Sequence, residues 1–133
     1  MIRDVEDLEV YRRAMKLLKP IYKLARLLPK EEFRLKDQLT GSAKSIPPLI
    51  TEGFAKRSSE REFKRFLRMA LGPSDEVITH LREIKLIEFE GVKAETCDAL
   101  VKHYKIVSKQ INKLITNWKN FDNPTKPKSD STD

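Results

Sequence analysis

Two histidines, one cysteine and two carboxylates in apolar surroundings are the side chains of this sequence most suited to chemistry. A histidine can act as a general base or bind a metal, a thiolate can attack or ligate, and paired carboxylates can share a proton or hold a cation. The spacing argues against each of these. His80 and His103 fall on different predicted helices. Cys97 and His103 stand ~120° apart around a helix and share no face for a metal. Cys97 lies on an apolar seam, the place of a small core residue. The four glycines are scattered and form no phosphate loop. Glu52 and Glu76 lie among small or apolar neighbours, and a buried carboxylate must be paired. Both are expected to be structural, accepting hydrogen bonds from an arginine such as Arg65 or Arg68 or from a helix end. No catalytic residue, metal ligand or cofactor is expected, and the chain reads as non-enzymatic. A rival reading makes Glu52 and Glu76 an acid–base or metal-binding pair.

The basic residues carry the strongest functional signal. Arg12, Lys16, Lys19, Lys23, Arg26 and Lys30 recur in steps of four and three, with no acid between Val10 and Lys30. They form a stripe roughly 150° from the apolar one. Lys102, Lys105, Lys109 and Lys113 repeat the pattern, with no acid between Ala99 and Phe121. Lysine-rich faces are often simply solvated, but complete absence of interleaved acids favours a polyanion, and two neighbouring stripes would merge into one phosphate-binding surface. No aromatic platform lies within the stripes, so base readout is not expected.

Four helices must position these faces. Tyr11, Ala14, Leu18, Ile21, Ala25 and Leu28 mark the first, and Val10, Leu17 and Leu24 widen its stripe. Pro20 predicts a kink, and Pro29 the exit. The second starts at Lys30 to Glu32 and keeps helical spacing through Phe33, Leu35, Leu39, Ala43, Ile46, Ile50 and Phe54. Pro47 and Pro48 predict that it is broken or bent there, with Gly53 loosening its last turn, and the small residues Gly41, Ser42, Ala43 and Ser45 invite a close helix neighbour. Ser59 and Glu62 have capping-box spacing ahead of the third, which runs through Phe63, Phe66, Ala70, Val77, Leu81 and Ile84 with a kink at Gly72-Pro73. A turn at Gly91 leads to the fourth, on Cys97, Leu100, Tyr104, Val107, Ile111, Leu114 and Trp118. The expected fold is all-α, an antiparallel up-down-up-down four-helix bundle over 1–121 with a disordered polar tail over 122–133.

Whole-chain properties agree. At 133 residues, 39% hydrophobic and 35% charged, the sequence suits one soluble helical domain. Its net charge is +7 and its pI about 9.5. A single cysteine allows no internal disulfide, the N-terminus has no apolar signal region, and no stretch approaches the ~20 apolar residues of a membrane span. A cytoplasmic protein is expected. Apolar breadth on the first helix, including Val10, Leu17 and Leu24, predicts a homo-oligomer.

Three stretches, "LEVYRRAMKL", "SIPPLITEGFAKRSS" and "FKRFLRMALGPSDEV", resemble in order and spacing the four-helix-bundle proteins encoded in 23S rRNA intervening sequences, over roughly Asp4 to Phe89. The resemblance implies a bundle assembled as a ring-shaped pentamer, with association to rRNA. It also implies kinship in fold with the accessory protein of diversity-generating retroelements, which binds nucleic acid and a reverse transcriptase. Its motif positions are Ser45, Ile46 and Pro47, then Glu52 and Gly53, Phe66 and Leu67, and Gly72, Pro73 and Glu76. Leu49 and Pro73 depart from the Asn and Ser usual in the family, each removing a polar group near the carboxylates. The leading expectation is a basic bundle that binds structured RNA or an RNA–protein assembly. The alternative is an adaptor whose oligomeric ring docks a protein such as a reverse transcriptase.

Overall fold

The computed structural model describes residues 2–119. The expected tail at 122–133 lies outside the described residues. Asp4 opens the chain by capping a 3-10 turn, Val5–Asp7. Its carboxylate accepts from the Glu6 amide at 2.9 Å, and Asp7 returns the bond by accepting from the Asp4 and Arg3 amides. Those two amides hold the Asp7 carboxyl below its ordinary range.

Helix α1 spans Glu9–Leu27, and a 3-10 turn, Lys30–Glu32, leads into α2, Phe33–Ala55. Helix α3 spans Glu60–Ile87 and α4 spans Ala94–Asn117. The described residues contain no strand. Pro20, Pro47, Pro48 and Pro73 all lie inside helices, none of which is interrupted. The anticipated break at Pro47–Pro48 is therefore absent. Burial explains the continuity: Ala43, Ile46, Pro47, Ile50 and Phe54 are all buried along one side, so packing outweighs the lost backbone bonds.

Ser59 caps α3 by accepting from the Glu62 amide at 3.2 Å. The reciprocal arm of the expected box does not form. The Ser59 amide donates to the Lys56 carbonyl, and the Glu62 carboxylate pairs with Arg65. At its other end α3 closes on Glu88 in the left-handed region, φ 64°, and Gly91 at φ 85° completes the turn.

All four helices contribute to one core, in which Phe63, Tyr104, Ile21, Leu39, Leu67 and Ile111 are fully buried. Val10, Leu17 and Leu24, expected to exceed what one bundle can bury, are core residues. The exposed apolar side chains of α1 are instead Met15 and Leu27, with Tyr11 and Leu18 partly buried against the core. Phe33, counted in the apolar period of α2, is 60% exposed. Helix α2 packs on α3, α3 on α4, and α1 on α2, while α1 meets α4 less closely. Close approach of α2 and α3 occurs at Gly53, where a Cβ would stand 2.7 Å from the Cβ of Phe66. In the small-residue cluster Gly41 has no neighbour for a Cβ to meet, whereas Ala43 is fully buried and Ser42 donates to Glu76 of α3 at 3.2 Å.

Three cross-helix links fix the register of α3 and α4. Lys85 pairs with Asp98 at 3.0 Å, the Ser74 hydroxyl meets that of Ser108 at 2.7 Å, and the ring of Phe63 stands edge-on to Trp118 at 4.7 Å. Positions on α4 therefore rise as those on α3 fall.

Candidate nucleic-acid interface

On α1, Arg12, Lys16, Lys19, Lys23 and Arg26 are all exposed, as are Lys102, Lys105, Lys109 and Lys113 on α4. Lys30 is exposed too, but it belongs to the 3-10 turn beyond Pro29 and not to α1. At ~100° per residue, each stripe lies opposite the buried face of its own helix. None of these lysines has an ion-pair partner among the described residues, so their charge is not neutralised within the fold. Arg12 is oriented by donating from Nη1 to the Glu6 carbonyl at 2.6 Å.

Between α1 and α4 runs a cleft of about 360 Å³, lined by Glu9, Arg12, Arg13, Lys16, Leu17 and His103. Arg13 donates to Nδ1 of His103 at 3.3 Å and approaches the Glu9 carboxylate at 3.4 Å. An arginine only donates, so Nδ1 of His103 is the acceptor here and its other ring nitrogen carries the hydrogen. Nε of Arg13 is buried and has no hydrogen-bond partner among the described residues. A second crevice toward the start of α1 joins Leu8, Glu9 and Val10 to Gln110, Lys113, Leu114 and Asn117. The fold therefore brings Arg12 and Lys16 to one cleft and Lys113 to its neighbour, while Lys19, Lys23 and Arg26 line neither.

Sequence reasoning missed Arg13, and it weighed His103 only as a catalytic or metal-binding residue and set it aside. Arg13 is ~100° away from Arg12 and falls outside the stripe, on the flank that faces α4. The one available signal was Glu9 and Arg13 at i and i+4, a spacing too common to single out.

The two carboxylates are not where the sequence suggested. Glu52 is exposed and makes no hydrogen bond or ion pair to a described residue. Glu76 is also exposed, accepting from Ser42 Oγ at 3.2 Å. Arg65 serves neither: it pairs with Glu62, holding that carboxyl below its ordinary range, and lies over the ring of Phe66. A helical period cannot tell a flank from the core, and both residues fall on flanks. His80 pairs with Glu83 on its own helix at 2.9 Å. Cys97 is buried, and desolvation pushes its thiol up.

Glu52 instead borders an apolar groove of about 520 Å³ between α1 and α2, whose walls include Tyr11, Met15, Leu18, Pro47 and Pro48. Among the described residues no helix is long and apolar enough to cross a membrane.

A family profile described as 23S rRNA-intervening sequence protein matches residues 6–113. No curated protein matches the chain significantly.

Proposed function

Since the chain belongs to the 23S rRNA-intervening sequence protein family, we propose that it is a non-enzymatic, cytoplasmic helical bundle that binds structured RNA, rRNA foremost, through phosphate contacts from α1 and α4. The observation that carries this reading is the pair of exposed basic stripes, with no acid between Val10 and Lys30 or between Ala99 and Lys113, on two helices that pack together. Their residues are Arg12, Lys16, Lys19, Lys23 and Arg26, with Lys30 beyond, and Lys102, Lys105, Lys109 and Lys113. Such faces neutralise phosphates and release counterions, which gives affinity without sequence readout. The family's description as 23S rRNA-intervening sequence proteins supports rRNA as the polyanion.

Two architectural readings accompany it. The four helices form an up-down-up-down bundle, supported by α3–α4 links that run in opposite directions along the two helices. The bundle assembles as a homo-oligomer, with a ring-shaped pentamer implied by family resemblance and with the α1–α2 groove as the surface left to cover. That groove is also what favours the adaptor reading, in which the assembled ring docks a partner protein such as a reverse transcriptase.

RNA binding is tested by salt dependence. The log–log slope for a single strand should be about −0.7 per phosphate neutralised. Reversing Lys16, Lys23 and Lys105 to Glu should weaken binding to all RNA sequences alike and flatten the slope. A folded triple variant that binds as wild type does would remove this surface from consideration. No affinity at low salt, with protein capture that survives nuclease, would put the adaptor reading first.

A further inference from the structure

The cleft between α1 and α4 differs from the open lysine faces around it. It is concave, it holds two arginines and a lysine within its walls, and one of those arginines is partly withdrawn from solvent. Arg13 has three sets of donors. One reaches His103, one reaches Glu9 at the long distance of 3.4 Å, and the buried Nε reaches no described residue. A guanidinium is built to grip a planar or tetrahedral oxyanion with two parallel bonds, which neither present partner provides. The Glu9 side chain is 65% exposed, so it is free to swing away. The cleft also includes Glu9 and Arg12 from the first turn of α1, where the helix dipole is positive.

We propose that this cleft is a seat for a single phosphoryl group, gripped by Arg13 with Arg12 and Lys16 beside it, and that the Glu9 carboxylate is the internal anion which that group displaces. His103 is a positioning residue, holding Arg13 toward the cleft through Nδ1. The chemistry is the same for a phosphodiester of an RNA backbone and for a small phosphate. The first source rests on the RNA reading above; the second does not.

Charge alone would make every exposed acid near the basic faces equivalent, and that is what the test exploits. Glu9→Gln and Glu31→Gln remove the same charge, one in the first turn of α1 and the other in the 3-10 turn that follows it, but only Glu9 lies in the cleft. In one arm, inorganic phosphate is titrated against the whole chain while the side-chain signals of Arg13 and His103 are followed by NMR. In the other, affinity for a labelled single-stranded RNA is measured at fixed low salt. Shifts should concentrate on Arg13 and His103. Glu9→Gln should tighten binding about two- to fivefold, the scale of removing a competing exposed ion pair, while Glu31→Gln changes it less. Arg13→Gln should weaken binding about tenfold, and His103→Asn, which keeps an acceptor, should retain most of what His103→Ala loses. These results with RNA assign the seat to the backbone. The same results with phosphate alone, RNA affinity being absent or indifferent to Glu9 and Arg13, assign it to a small phosphate. In that case a lack of RNA affinity ends the RNA reading without touching the seat. Equal effects of Glu9→Gln and Glu31→Gln in both arms, or phosphate shifts spread over all lysines, overturn the proposal.

Discussion

Glu52 and Gly53 are neighbours with opposite roles. Gly53 is buried where α2 crosses α3, and a Cβ there would meet Phe66 at 2.7 Å and the Phe63 carbonyl at 3.2 Å. Backbone and Cβ atoms cannot step aside as the tip of a flexible side chain can, so Gly53→Ala should cost ~1–3 kcal/mol through overpacking. Glu52 is exposed beside it, so Glu52→Ala should stay within ~0.5 kcal/mol. Paired urea titrations of the two variants check both halves, and equal losses would show that Glu52 holds a contact. Cys97 gives a pH-dependent prediction at the same scale. Burial raises its thiol in the native state, so on alkalinisation the unfolded chain loses its proton first. Stability from this group is full below the unfolded thiol value, about 8.5, and falls as pH rises from there through the raised native value. The urea midpoint should therefore drop between pH 7.5 and 9.5, and drop less in Cys97→Ala. Tyr104, displaced in the same direction by burial, adds its share only above about pH 10.

At the scale of the helices, four prolines test whether local propensity or packing decides continuity. Each removes a backbone donor, yet α1, α2 and α3 pass through without a break. The third helix is held to the fourth by a small polar cluster that runs from the core to the surface: Ser74, fully buried, meets the partly buried Ser108, which in turn donates to the exposed Asp75 at 3.2 Å. Nearby, the Tyr104 hydroxyl is buried without a hydrogen-bond partner among the described residues. An orphaned buried hydroxyl costs free energy that its removal recovers. Tyr104→Phe should therefore raise stability by ~1 kcal/mol, read as a higher melting temperature. A lower one would mean that the hydroxyl has a partner.

For the molecule as a whole, the exposed surfaces divide into two kinds. The lysines on the basic faces of α1 and α4 have no ion-pair partner among the described residues, whereas the α1–α2 groove presents Met15, 44% exposed, with Tyr11, Leu18 and two prolines. Apolar surface of this kind is covered in an assembly, and the proposed homo-oligomer would cover it. Met15→Lys should then lower the mass measured by light scattering at micromolar concentration while leaving the helical circular dichroism intact. A wild type that is already monomeric there would end the oligomer reading. If the mass is unchanged by the substitution, the subunit contact lies elsewhere.

Four helices, their order and most of their buried positions follow from the sequence alone, because a helix one face wide must repeat its apolar residues every three or four positions. On α4 the seam from Cys97 to Ile111 is buried as its spacing requires, and the basic stripes are exposed because charge on a core face could not be paired. Tertiary structure decided what lies between those two faces. Position on a helix wheel places a residue on a flank but does not say which neighbour the flank meets, or how closely. Hence Glu52 and Glu76 proved to be exposed, the exposed apolar side chains of α1 proved to be Met15 and Leu27 in place of Val10, Leu17 and Leu24, and Gly53 became a point of close approach to α3. Arg13, Glu9 and His103 meet only because α1 and α4 lie side by side, and residues 90 positions apart share no periodicity that could announce it.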